Sequence, residues 1–331
     1  MPYFYRKIWN DSIFQGKNKK RNYFEGWYFK IINSAEDEIY AVIPGISYDK
    51  DGNGIAFVQF FNGINAETTF FEFDISAFKF SKKEFSVEIG ENYFSSKKIK
   101  LNLSSKEKKV EGEVRIGKLV PWSKKKTSLG VMGWYKLVPF MECYHGVLGF
   151  DHSIEGELSV NGKKIDFTNG KGYMEKDYGK SFPHYYIWMQ SNTFDKEGVS
   201  LMASFAKIPW LGSAFDGYLV GFRHNKKLYR FTTYTGAKVT KLQLKDKEII
   251  FHVTDKKYRI EITAFKSKAV NLHSPVDGSM VGRILESLTS EIKVRLIELN
   301  KKERERIIFE GTGRNAGLDI GGRVDEIKEI S

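Results

Sequence analysis

Cysteine is almost missing from this chain. Its 331 residues include one, Cys143, which excludes an internal disulfide and any cysteine cluster for a metal. A lone thiol suits a reducing compartment, so the expected location is cytoplasmic. Proline is also scarce, at seven residues against 30 glycines. No run of about 18 apolar residues occurs, so no helix is expected to span a bilayer. The greasiest stretch, Trp134–Phe150, is interrupted by Lys136, Pro139, Glu142 and His145. The opening MPYFYRKIWNDS lacks the apolar centre of a signal peptide.

Several chemical signatures are absent too. There is no GxGxxG, HExxH or GxSxG. Gly179-Lys180-Ser181 looks like the end of a phosphate-binding loop, but Met174 stands where the first glycine is required. Cys143 has no convincing base near it in sequence, which argues against a thiol nucleophile. Acidic residues are in deficit: 41 against 53 lysines and arginines, a net charge of +12. Such an excess serves nucleic acid, an anionic membrane or simple solubility. The cations sit in turn-like clusters, Lys17–Arg21, Lys106–Lys109 and Lys124–Lys126. No RNA-binding aromatic signature or zinc-finger spacing accompanies them, so nucleic acid is not an expected partner.

What is present is aromatic and alternating. Phe, Trp and Tyr make up 15% of the chain, and they favour strands. Period-two segments recur at residues 39–43, 55–61, 70–75, 85–89, 99–103 and 110–116. They resume at 154–160, 186–194, 199–208, 218–224, 228–234, 249–253 and 258–264. Asp-Gly and Asn-Gly pairs punctuate them, as hairpin turns require. The expected class is all-β, a barrel or sandwich. One segment breaks the pattern. Met280, Ile284, Leu285 and Leu288 fall on one helical face, which predicts a short helix over 279–288. Residues 28–46 and 186–208 echo each other weakly as strand, polar turn and strand. The echo favours two β-rich lobes, 1–150 and 151–331, joined within Lys118–His152.

Two stretches concentrate chemistry. In RNYFEGWYFKI (21–31), an extended chain puts Glu25 and Trp27 on one face and Tyr28 on the other. The carboxylate is either an anchor paired with a cation or an acid in a greasy pocket. In KGYMEKDYGKSFPHYYIWMQSNTF (171–194), Glu175, Lys176 and Asp177 are adjacent. The strand that follows sets Tyr186, Trp188, Gln190 and Asn192 on one face. That face suits a ligand cavity with aromatic walls, or a half-exposed antiparallel strand. Glu142, His145 and His152 form a third group. Their spacing is poor for a metal, and none is expected. His145 reads as a hydrogen-bonded core or pocket histidine.

These motifs resemble the tocopherol cyclase family. Tyr23–Phe29 is similar to its early Phe-Phe-Glu-Gly-Trp-Tyr-Phe segment, and Lys171–Asn192 to its Gly-x-Gly-Tyr-x-Glu-Lys segment with the aromatic strand behind it. Residues 138–147 and 315–322 resemble a middle and a closing motif. The resemblance implies two lipocalin-like (calycin) antiparallel barrels or half-barrels. It also implies cofactor-free, acid-catalysed cyclisation or hydration of a prenylated quinol or other isoprenoid lipid in an apolar cavity. Its candidate acids are Glu25, Glu175 and Asp177. Trp27, Tyr28, Glu142, His145, Lys176, Tyr186, Trp188, Gln190 and Asn192 are the candidate substrate contacts. A non-catalytic carrier of a hydrophobic ligand would use the same pocket. Trp134–Phe150 beside Lys124–Lys126 suggests a peripheral contact with anionic membrane.

Overall fold

A computed structural model describes residues 2–123, 128–210, 212–299 and 305–331. Lys124–Lys126 therefore lie outside the described residues. The strands are β1 Tyr23–Ile32, β2 Ile39–Tyr48, β3 Gly54–Asn62, β4 Glu67–Asp74, β5 Phe78–Phe80, β6 Ser86–Ile89, β7 Asn92–Ser95 and β8 Lys98–Ser104. They continue with β9 Lys109–Ile116, β10 Cys143–Val160, β11 Lys163–Asp166, β12 Gly170–Gly179, β13 Tyr185–Ser191, β14 Thr193–Phe194, β15 Ser200–Trp210 and β16 Ser213–His224. The last are β17 Lys227–Thr232, β18 Lys238–Leu244, β19 Glu248–Thr254, β20 Tyr258–Phe265, β21 Val270–Val276, β22 Ser279–Glu298 and β23 Arg306–Gly322.

The strands form two antiparallel sheets, as expected for an all-β, lipocalin-like chain. The first runs β4-β3-β2-β1-β12-β10-β9-β8-β7-β6-β5, and the second β17-β16-β15-β13-β23-β22-β20-β19-β18. In each sheet the two edge strands are consecutive in the chain. Ile75–Ala77 links β4 to β5, and Thr233–Thr235 links β17 to β18. In each sheet a single 3-10 turn thus carries the chain from one edge strand directly to the other. The sequence echo has a topological basis: β1 and β2 occupy the places in their sheet that β13 and β15 occupy in theirs.

Two compact units result. One comprises Met1–Phe182 with Asn271–Arg283, and the other Pro183–Val270 with Ile284–Ser331. The expected join at 150/151 falls inside β10. Alternation decides which side chains enter each core. In β8, Ile99, Leu101 and Leu103 are buried while Lys100, Asn102 and Ser104 are exposed. Each such aliphatic side chain contributes about 1.5–3 kcal/mol by leaving water.

The helix expected at 279–288 is not there. The segment begins the 20-residue strand β22. Ile284, Leu288, Ile292, Val294 and Leu296 are buried, whereas Val281 is 68% and Leu285 51% exposed. Pairing of β22 with β21 and β23 imposes period two on a sequence whose spacing also fits a helix. Among the described residues the single α-helix is α1, Tyr3–Trp9.

The core of the first unit is rich in aromatic rings. Trp27 stacks on Phe85 at 5.3 Å, and Phe14 contacts Phe80 at 4.5 Å. Phe29, Phe60, Phe94 and Phe167 are buried with them. In the second unit Ile187, Met189, Phe205, Leu242 and Phe251, among others, line an apolar gap too narrow to hold a water molecule.

Candidate active site

The sheet register sorts the predicted residues onto two faces. Opposed residues of an antiparallel pair share a face. Across β1 and β12, Trp27 faces Lys176 and Glu25 faces Tyr178; Tyr28 faces Glu175 and Gly26 faces Asp177. Across β10 and β12, His145 faces Asp177. Glu25, Trp27 and Lys176 therefore occupy one face, turned towards the core. Tyr28, His145, Glu175 and Asp177 occupy the other. The three consecutive residues Glu175, Lys176 and Asp177 are split by the pleat.

On the core face Glu25 is an anchor. Its carboxylate lies 2.5 Å from Lys176 Nζ, and both side chains are fully buried. Backbone N–H groups donate to it as well, Gln15 at 2.8 Å and Gly16 at 2.9 Å, and the Tyr23 hydroxyl donates at 2.5 Å. Lys176 Nζ uses its other protons on the carbonyls of Asp11 (2.9 Å) and Ile13 (2.6 Å). Burial pushes the Lys176 ammonium down, and the Glu25 carboxylate opposes that. The Trp27 indole donates to Ser12 O at 2.8 Å, and Lys176 Nζ sits 4.8 Å from its ring centre. This group fastens the segment Asp11–Gly16 against β1. Among the described residues, the contacts to Glu25 come from donors, and Lys176 Nζ sits over the Trp27 ring.

The opposite face holds a different chemistry. His145 Nδ1 is 2.9 Å from Asp177 Oδ1, and Nε2 is 3.6 Å from Glu175 Oε2. The Tyr173 hydroxyl donates to Glu175 Oε2 at 2.5 Å. Burial works to lower the His145 pKa, but Asp177 and Glu175 outweigh it and hold it at about 9. The imidazole is thus charged at neutral pH, and its Nε2 has no hydrogen-bond partner among the described residues. The ligand atoms of His145, Glu175 and Asp177 lie within 4.8 Å of one another, close enough for a cation. Metal ligation needs a neutral imidazole, so a cation would have to displace that proton.

The Glu142 backbone helps to shape the turn after β12. Its carbonyl accepts Lys180 N at 2.7 Å and Ser181 N at 3.3 Å. Gly179 has φ +155° and passes so close to that carbonyl that a Cβ would overlap it. His152 is apart from His145, buried beside Gly172, and desolvation lowers its pKa to about 3.

In the second unit, β13 turns Tyr185, Ile187 and Met189 into the core cluster. Tyr186, Trp188, Gln190 and Asn192 share its other face, as the alternation predicts, and all four are buried. Tyr186 donates to Asp319 Oδ2 at 2.8 Å, and Gln190 Nε2 to Asn192 Oδ1 at 3.2 Å. The Trp188 and Tyr186 rings lie over Gly317 and Gly321, where no Cβ would fit. Asp319 and Tyr173 are functional candidates that reading the sequence overlooked. A period-two signal marks both. Tyr173 precedes Glu175 by two, and Gly317, Asp319 and Gly321 alternate through the closing motif.

Sequence comparison adds to this geometry. The Tocopherol cyclase-like profile matches residues 79–322. The chain belongs to the tocopherol cyclase-like family. Tocopherol cyclase from the chloroplast of Zea mays is 24% identical over 209 residues, 60% of this chain and 43% of that one. A probable chloroplast tocopherol cyclase of Oryza sativa subsp. japonica is 25% identical over 205 residues, 57% of this chain and 42% of its own. The match spans under half the length of these plant relatives. Among solved structures, CghA with Sch210972 superposes with a TM-score of 0.52 at 8% identity, over 91% of this chain and 88% of that one. That likeness concerns the fold. Within this tocopherol cyclase-like chain, His145, Glu175, Asp177, Tyr186, Trp188 and Asp319 all fall inside the matched region, whereas Glu25 and Trp27 precede it. Among the described residues no helix is long and apolar enough to cross a membrane.

Proposed function

We propose that this protein catalyses proton-driven cyclisation or hydration of a prenylated quinol or related isoprenoid lipid, with His145, Glu175 and Asp177 as its proton-transfer group. Membership of the tocopherol cyclase-like family supports the reaction class. The observation that carries the residue assignment is the buried His145 held between two carboxylates, Asp177 2.9 Å from Nδ1 and Glu175 3.6 Å from Nε2.

In this scheme Asp177 fixes the ring through Nδ1, as an acceptor beside a catalytic imidazole does. The Nε2 proton goes to the less substituted carbon of the prenyl alkene. A tertiary cation forms, and the phenol oxygen closes the C–O bond to it. The phenol proton then returns to the cluster, through Glu175 or His145, so the catalyst is regenerated and no redox partner is consumed. In hydration, water replaces the phenol oxygen. Glu175 and Asp177 thus work through His145, and Glu25 keeps a structural part.

The test is turnover of prenylated hydroquinones, followed by mass spectrometry, for the wild type and for His145→Gln, Glu175→Gln and Asp177→Asn. Positioned acid–base groups contribute about 10²–10⁴-fold. Losses of that size with intact folding support the assignment. Full activity in all three variants removes it, and a wild type inert towards every prenylated quinol removes the substrate class.

A further inference from the structure

The first unit exposes six large apolar side chains in two short segments. In α1, Phe4 is 69%, Tyr5 54% and Trp9 40% exposed. The helix is held by its other face: Tyr3 donates to Phe14 O and Lys7 to Gln15 O. The second segment is the turn Gly133–Leu137 and the residues after it, where Trp134 is 52%, Leu137 59% and Phe140 90% exposed. Phe140 has φ +65°, a region that bulky residues avoid. An ion pair between Asp11 and Lys136 ties the two segments together. Asp11 is two residues from Trp9, and Lys136 lies between Trp134 and Leu137. Isolated exposed hydrophobics are ordinary, but two aromatic segments fastened side by side form a patch.

Exposed cations follow α1 in the chain and reach its attached side at Tyr3. Lys17 Nζ lies 5.8 Å from the Tyr3 ring centre, and Lys17, Lys19, Lys20 and Arg21 are all exposed. Residues 1–21 carry six cations (Arg6, Lys7, Lys17, Lys19, Lys20, Arg21) and one acid, Asp11, which is already paired. Indole and phenyl rings beside lysines match the two layers of a bilayer surface, the acyl boundary and the phosphate plane.

We propose that this patch docks the protein on anionic phospholipid bilayers, with Trp9, Trp134 and Phe140 entering the interface and Lys17–Arg21 contacting the headgroup phosphates. The proposal rests on exposure and charge alone and stands independently of the reaction.

Flotation with vesicles of phosphatidylcholine containing phosphatidylglycerol, against phosphatidylcholine alone, tests it. The wild type is expected to bind the anionic vesicles, to be released by high salt, and to show a blue shift of tryptophan emission on binding. Trp134→Ser with Phe140→Ser should cut partitioning at least tenfold, and Lys19→Glu with Lys20→Glu should abolish the preference for anionic lipid. No wild-type binding, or binding that neither pair of changes alters, overturns the proposal. So does a dimer in light scattering that Phe140→Ser dissolves, because the patch would then be a self-association surface.

Discussion

The ammonium of Lys176 lies 2.5 Å from the Glu25 carboxylate, with neither side chain open to solvent. The pair joins β1 to β12 and, through the Asp11 and Ile13 carbonyls, to the segment ahead of β1. Two charges buried together offset each other's desolvation, and either one left alone does not. The acid in one motif and the lysine in another thus form one structural unit.

Removing one member should be worse than removing both. Lys176→Met leaves a buried carboxylate and is expected to cost about 3–5 kcal/mol. Glu25→Gln leaves a buried ammonium and should cost a similar amount. The double variant should be more stable than the sum of the two losses implies. Urea unfolding of all four proteins measures the coupling, and additive losses would refute it.

Gly172 illustrates a tighter constraint. A Cβ there would fall within the His152 ring. Both residues are on paired positions of β12 and β10. Gly172→Ala is expected to destabilise by about 1–3 kcal/mol, the usual cost of overpacking. Adding His152→Ala opens space and should recover part of the loss, which thermal melts of the single and double variants can read. His152 also carries a pH signature. Its folded pKa of about 3 lies below the ordinary 6.5, so its contribution is complete above 6.5 and declines as pH falls towards 3.

Alternation made much of this legible in advance. It put Glu25 beside Trp27, and Tyr186 beside Trp188, Gln190 and Asn192, on faces the strands do present. It could not say which face is the core. That depends on pairing: Trp27 points inward with Lys176, so Glu25 became an anchor, while Glu175 on the other face met His145 from β10. The 279–288 segment shows the same limit, because apolar spacing there fits either period and the neighbouring strands decide. The exposed face of α1 was invisible for another reason: a two-turn helix is too short to display a period.

Cys143 should be a poor nucleophile. Burial pushes its thiol pKa up, and the Asp177 carboxylate 3.8 Å away adds to that. Iodoacetamide at neutral pH is expected to label it slowly in the native protein and quickly in urea. Asp177→Asn removes part of the electrostatic barrier and should raise the native rate. Rapid native labelling would contradict the environment described for β10.

His145 should leave a signature in stability against pH. Its folded pKa is about 9, above the ordinary 6.5, because the Asp177 and Glu175 carboxylates overcome the effect of burial, with a smaller contribution from Asp11. Below 6.5 the imidazole is charged in both folded and unfolded chains, and its ion pairs contribute in full. Between 6.5 and 9 the unfolded chain sheds the proton while the folded chain keeps it, so stability falls across that window. In His145→Gln the linked fall should disappear, although the variant is less stable at neutral pH. Urea midpoints at half-unit steps from pH 6 to 10 for both proteins isolate the difference, since other titrating groups are common to the two. Parallel curves would mean that His145 is neutral in the folded protein, and an imidazole without its proton could not start the proposed reaction.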